Sequence, residues 1–421
     1  MPTLKTYILI AGLLLLVLFS SFKLKEDWGF FAHRRINRLA VFTLPIELIP
    51  FYKKHIEYLT KEAISPDKRR YVVATEGIRH YIDLDKWGEL LFEELPRNII
   101  AARRKYIEVK VLTEPRDSLR LFGQKMKMDG ADNWQLTDKN LPLFFGQEKV
   151  FIDQEDYESF FYNHIYNALY ESSWEIDCAV LRDYFERYDF TLPCVKAVAI
   201  DTFVEHGVLP YNLIRLQRSL TKAMEDKNRD HILRISADMG HYIADAHVPL
   251  HTTSNYNGQF TNQLGIHAFW ETRLPELFAD DTYDFFVGSA TYIKDPVAYY
   301  WQVVLHSHSL VKKVLAMEKK LSKQFPPSQQ DCFEERNNSG LQKMPCREYA
   351  QAYHRLLKGQ VEQQMRSAIH VIGSAWYTAW VDAGQPDFAR LGSFKETEAT
   401  MKEQAAVDTA VKGGQILGRK H

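Results

Sequence analysis

Cysteine is scarce in this chain, four among 421 residues, and no two stand at C-x-x-C spacing. A zinc site built on thiolates therefore has no ligand set here. Net charge is lacking as well: 53 Lys and Arg against 54 Asp and Glu leave −1 at pH 7. The strong basic excess that captures duplex phosphates is missing. The clusters Lys68-Arg69-Arg70 and Arg103-Arg104-Lys105 are short and read as solvated helix faces. There is no G-x-S-x-G motif, so no serine nucleophile is indicated, and there is no internal repeat. No A-x-A-like cleavage pattern follows the first apolar run, and no Cys near residue 20 offers a lipidation site.

What is present is ample core-forming material. With 46% hydrophobic and 25% charged residues, the chain suits one large domain or two smaller ones, and disorder is excluded for most of it. Lys5, the apolar run Tyr7 to Phe19, and Ser20 and Ser21 have the form of a secretory signal. The expected location is exported, periplasmic or secreted, with residues 1–27 as signal plus pro-segment. A membrane anchor over residues 7–21 is the alternative. In an oxidising compartment Cys178 with Cys194 and Cys332 with Cys346 form two short-loop disulfides; the competing reading is four buried thiols.

Along the chain, Trp28 to about Lys61 reads as helical, broken near Pro45 and Pro50, with Ala32, Ile36, Leu39 and Ala40 on one face. A loop at Ser65-Pro66-Asp67 follows. From Ile107 the texture changes: Glu108-Val109-Lys110-Val111 alternates like a strand, and Gly130, Asn133 and Pro142 mark turns. This predicts an inserted α+β segment over about 100–200. Helical periodicity returns near Phe160 and dominates from Pro210, with Ile214, Leu216, Leu220 and Ala223, then Ile232, Ile235, Met239 and Tyr242. Val297–Leu321 and Arg366–Trp380 read as further helices, Phe325–Pro345 as a polar loop, and 386–421 as a charged, mobile tail. The predicted fold class is mainly α.

The most specific signal is HYIADAHVPLH followed by HAFWE, from His241 to Glu271. His241 and Asp245 are four residues apart, as are His267 and Glu271, so each pair shares one face of a helix. His251 follows Pro249, which ends the first helix and turns the chain back toward the same site. Imidazole nitrogen and carboxylate oxygen form a ligand set that zinc accepts at roughly 2.0–2.2 Å. A lone His is usually structural; two pairs with an intervening His are a pattern. His247 points elsewhere on the helix and reads as supporting or structural, and His206, His306 and His308 have no such company.

These residues resemble the zinc-dependent phospholipase C family and its relatives, the zinc-dependent single-strand-specific nucleases. The family pattern runs from an N-terminal Trp through a His, an Asp and an H-[FY]-I-D-like motif to H-x-x-x-D-x-H-x-P-L-H and H-x-x-x-[DE]. Trp28, His33, Asp67, His80, His241, Asp245, His251, His267 and Glu271 fill it in order. The resemblance is close over about 28–85 and 205–280 and loose beyond. It implies a mostly helical fold holding up to three zinc ions. His251, His267 and Glu271 would bind one ion; Asp67, His80, His241 and Asp245 a second; and Asp245 would bridge to a third held by His33 and Trp28. The third ion takes the backbone amine of a mature N-terminal Trp, which here requires cleavage between Asp27 and Trp28. The stretch between His80 and His241 is far longer than the family core needs.

The chemistry so implied is hydrolysis of a P–O bond by a metal-activated water, with Asp67 either a ligand or the base. Two substrates compete. A phospholipid, as for a phospholipase C, is favoured by Glu271, where the nucleases tend to have Asp, and by the neutral chain. Single-stranded nucleic acid is the rival, with Tyr81 stacking a base, although core packing is the plainer role for Tyr81. A third reading is a non-catalytic exported protein with structural zinc. No protein partner is evident, and any membrane association would come from the N-terminal segment.

Overall fold

The computed structural model describes residues 30–88, 92, 95–113, 117–122, 140–145, 148–166, 171–336, 340–389, 391–392, 398–417 and 419. The signal or anchor segment, Trp28 and the turn residues Gly130 and Asn133 lie outside them. The molecule is mainly α, as expected, with 62% of it helical against 10% in strands. Among the described residues no helix is long and apolar enough to cross a membrane.

Helices α1 (Phe31–Ala40), α2 (Ile49–Lys54), α3 (Ile56–Glu62) and α4 (Ser65–Arg69) come first. Helix α5 (Ile99–Tyr106) leads into β1 (Ile107–Thr113), β2 (Asp117–Phe122), β3 (Asn140–Phe145), β4 (Glu148–Asp153), α6 (Gln154–Phe160), β5 (Ser173–Ile176), α7 (Cys178–Glu186) and β6 (Lys196–Asp201). Then follow α8 (Leu209–Glu225), α9 (Arg229–Ala246), the single turn α10 (Ile266–Ala268), α11 (Leu274–Thr282), α12 (Pro296–Ser322) and α13 (Pro327–Gln330). Strands β7 (Asp331–Arg336) and β8 (Gly340–Pro345), α14 (Arg347–Leu357), α15 (Gln360–Asp382) and α16 (Glu398–Gly413) complete the order.

Helix α9 runs through the centre of the helical body. Asn228 caps it by accepting from the His231 amide at 3.2 Å, and its apolar side chains Ile232, Leu233, Met239 and Ile243 are fully buried. Tyr52 stacks on Trp376 at 4.7 Å, and both bond Ser236 of α9, through its hydroxyl and its carbonyl respectively. Helix α1 crosses α9 closely because residue 240 is glycine: a Cβ there would stand 1.7 Å from Asn37 Oδ1. His33 lies one turn before Asn37 and His241 directly follows Gly240, so this crossing sets the distance between two candidate ligands. Pro50 does not break the chain. It occupies the first turn of α2, where its missing N–H is no loss.

Between Ile107 and Asp201 the chain builds a second, smaller core. Its antiparallel sheet has the order β2-β1-β6-β5, and Ile107, Val109 and Val111 of β1 are buried with Phe161, Leu181 and Phe185. Arg103 Nε bonds Asp201 Oδ2 at 2.7 Å where the two bodies join, and Asp201 Oδ1 accepts the amides of Phe203 and Val204. The Cys178–Cys194 bond ties α7 to the approach of β6.

One expectation is corrected. Phe325–Pro345, read as a loop, holds α13 and the β7-β8 hairpin, closed by Cys332–Cys346; its strands are largely polar and exposed, so they lack the alternation of a half-buried sheet. The charged tail after 386 contains α16, which buries Val407 and is followed by a bond from the Leu417 amide to the Arg70 carbonyl at 2.9 Å. Ahead of that helix Phe388 is buried against Phe51, ring centroids 5.0 Å apart, so among the described residues two buried apolar side chains hold the charged tail.

Candidate metal centre

Six segments deliver the candidate ligands to one place. Helix α9 presents His241 and Asp245 one turn apart, Nε2 to Oδ2 3.3 Å. Helix α1 brings His33, whose ring stacks on His241 with centroids 4.1 Å apart. Asp67 comes from the short helix α4. His80 follows a 3-10 turn at Gly77–Arg79, with Nδ1 3.0 Å from Asp245 Oδ2, 3.1 Å from His241 Nε2 and 3.7 Å from Asp67 Oδ1.

The remaining ligands follow the end of α9. Pro249 opens a 3-10 turn, Pro249–Thr252, that carries His251 back to the site; its Nε2 is 3.3 Å from Glu271 Oε2 and 3.9 Å from Asp245 Oδ1. His267 Nε2 lies 2.7 Å from Glu271 Oε2, and His33 Nε2 3.1 Å from Glu271 Oε1. The His267–Glu271 pair does not sit on a regular α-helix: Glu271 belongs to a wider π-helical turn, Phe269–Arg273, a local widening frequent at functional sites.

Three groups of donors result: His33, His241 and Asp245; Asp67, His80 and His241; and His251, His267 and Glu271, each with its donor atoms within 4.8 Å of one another. Donors of a tetrahedral ion with bonds near 2.1 Å stand roughly 3.4 Å apart. The observed spacings bracket that value, so each group can hold a metal ion. The eight ligands sought among the described residues are all here; Trp28 lies outside them.

Hydrogen bonding fixes the imidazoles. His241 Nδ1 donates to the Ala63 carbonyl at 2.8 Å and His251 Nδ1 to the His80 carbonyl at 2.6 Å, so both turn Nε2 toward the centre. The H-Y-I-D segment is itself held by backbone bonds from Ile82 to His251 and from Asp83 to His206. Gly207, at φ 85°, makes room for it: a Cβ there would meet the Tyr81 carbonyl oxygen at 2.0 Å.

Metal-free, the cluster is electrostatically strained. Burial, then the charges of Glu271 and Asp67, push the Asp245 carboxyl well above its ordinary value. Burial opposes ionisation of Glu271 too, but His251, His267 and His33 outweigh it and hold that carboxyl well below the usual range. Burial lowers His241 far below the imidazole value and His251 to about 4. The neutral imidazoles of His241 and His251 beside crowded carboxylates are donors that a divalent cation would satisfy.

Histidines outside the cluster have structural partners. His247 bonds the Ile243 carbonyl and Ser367, and His308 bonds the Thr252 carbonyl. His206 lies 3.5 Å from Asp83. Two features went unread in the sequence. Tyr242, taken as part of an apolar stripe, packs edge-on to His80 and donates to Glu76, which in turn pairs with Arg69 and Arg79. Tyr81 is buried, but by Arg419, whose guanidinium lies 4.0 Å from its ring and 3.6 Å from that of Tyr256; nothing in the sequence announced Tyr256 or Arg419. Comparison with family models, curated proteins and solved structures finds no match, so any functional assignment rests on this cluster and its surroundings.

Proposed function

We propose that the protein is a zinc-dependent hydrolase of phosphodiester bonds, with a phospholipase C-like substrate preference and a fold of the phospholipase C and single-strand nuclease type. The carrying observation is that the three donor groups are contiguous: Asp245 stands 3.0 Å from His80, 3.6 Å from His33 and 3.9 Å from His251. A structural site is usually closed, separate and rich in Cys. In this reading His251, His267 and Glu271 hold one ion, Asp67, His80, His241 and Asp245 a second, and His33 with Asp245 and Trp28 a third.

Bound zinc ions in such a cluster lower the pKa of water toward about 7 and stabilise charge on the attacking and leaving oxygens. The protein's share is positioning. Asp67 is the most exposed of the three carboxylates, its side chain 22% accessible against 12% for Glu271 and 2% for Asp245, so it has access to a solvent proton as ligand or base. Asp245, with two oxygens facing different imidazoles, supplies the bridge.

Glu271 and the neutral chain support the phospholipid. The Tyr81–Tyr256 slot supports a second reading, a single-strand nuclease, because two rings gripping a planar group are what a nucleobase requires. Incubating the zinc-loaded protein with phosphatidylcholine, single-stranded DNA and single-stranded RNA tests the proposal. Release of phosphocholine is expected; release of nucleotides alone selects the nuclease, and full zinc occupancy with no turnover leaves a non-catalytic zinc protein.

A further inference from the structure

The slot beside the metal cluster is already filled by the chain itself. Tyr81 directly follows the ligand His80, and the Tyr256 ring packs edge-on to the ligand His267 at 6.3 Å, so the slot joins two of the three donor groups. The Arg419 guanidinium lies over both rings, donates to Asp83 Oδ1 at 2.7 Å and to the Thr253 carbonyl at 3.0 Å. The Arg419 carbonyl accepts from Arg70, and Arg70 stands 3.7 Å from Asp67. A residue remote in sequence thus reaches the rim of the candidate catalytic centre.

The segment that carries Arg419 is lightly held. Among its described side chains Val407 alone is buried, and its ion pairs, Lys68 with Asp408 and Arg234 with Glu403, are both 3.4 Å long and partly or fully exposed, a type worth little to stability. A cavity of about 60 Å³ lies under α16, lined by Glu403, Gln404 and Val407 on one side and by Arg69, Arg234 and Asp238 on the other. Few buried apolar contacts mark a segment that opens locally at small cost.

We propose that Arg419 is an intrasteric plug: it occupies a substrate subsite formed by Tyr81, Tyr256, Asp83 and the Thr253 carbonyl, and substrate binds only when α16 and the residues after it lift away. The proposal rests on the hydrolase reading for its effect on turnover, but not for the slot itself. Competition of this kind raises KM by the inverse of the open fraction and leaves kcat alone.

The test compares the zinc-loaded full chain with Arg419→Ala and Arg419→Lys, each checked for unchanged zinc content and melting temperature. Calorimetry with Nα-acetyl-arginine amide is expected to show saturable binding to Arg419→Ala, lost on adding Tyr256→Ala, and none to the unaltered chain. Equal binding to both overturns the plug. On whichever substrate is turned over, Arg419→Ala is expected to lower KM by about tenfold at constant kcat, with Arg419→Lys between, since an ammonium keeps the charge but not the planar stack. An unchanged or raised KM for Arg419→Ala also overturns it. Should no substrate be turned over, the hydrolase reading fails while the calorimetry still decides the plug; should Arg419→Ala fail to fold, Arg419→Lys carries both measurements.

Discussion

His241 belongs to two of the three donor groups, which makes it the most informative single side chain to remove. His241→Ala is expected to lower zinc stoichiometry and activity together, activity by more than about 100-fold; metal analysis beside the substrate assay checks this, and retained activity removes His241 from the site. The charges of the cluster give a second expectation. Metal-free, Asp245 and His33 hold protons more tightly than when unfolded, so their contribution to stability is full at low pH and is lost as pH rises through their folded pKa values. Glu271 is opposite, its contribution present above its unfolded value and lost only in acid. A divalent ion bound there would displace the protons on Asp245 and His33, so its affinity is expected to rise with pH. Thermal melts of the zinc-free and zinc-loaded chains are therefore expected to diverge as pH increases; parallel curves would refute the assignment. At this scale i,i+4 spacing and a Pro turn, which are local patterns, showed His241, Asp245, His251, His267 and Glu271, whereas His33, Asp67 and His80 came only from the family resemblance. Tyr256, Asp83 and Arg419 meet only through tertiary structure, which no local spacing reports.

Helix packing sets the site's dimensions. With Gly240 under Asn37, α1 and α9 approach closely enough for His33 to stack on His241. Gly240→Ala forces the helices apart, with an expected loss of about 1–3 kcal/mol in denaturant unfolding and weaker retention of the ion held by His33. Full stability and full zinc retention would show that Asn37 yields without moving the helix. Amphipathic periodicity made the long helices legible, α12 and α15 among them. It did not reveal the π-helical turn at Phe269–Arg273, because one extra residue in a turn leaves the four-residue His267–Glu271 spacing intact. Nor did it reveal β7 and β8, where Phe333 and Leu341 are exposed and polar and apolar residues do not alternate with the faces.

The described residues divide into a helical body with the candidate metal centre and the sheet-bearing body inserted between its candidate ligands. The buried Arg103–Asp201 pair fastens them, and Asp201→Ala removes the carboxylate facing Arg103 and leaves the Phe203 and Val204 amides without their acceptor; the expected cost is about 3 kcal/mol, read at the junction of the two bodies. Cleaving the Cys178–Cys194 bond, which closes a sequence separation of 16 residues, is expected to cost about 3 kcal/mol in the inserted body. In both cases chelator competition should find the zinc sites intact; metal loss would show that the inserted body shapes the centre. The change of texture near Ile107 made this body visible in sequence, whereas its antiparallel order depends on long-range pairing of β1 with β6.

The donors run from His33 to Glu271, with the entire sheet-bearing body threaded between His80 and His241. No nascent fragment ending before Glu271 has a full complement of donors. Two of the three donor groups are complete once Asp245 has been made and the third only at Glu271, so any ion capture would come after the sheet-bearing body has been synthesised, and a ribosome-bound intermediate halted in β6 would be a poor chelator.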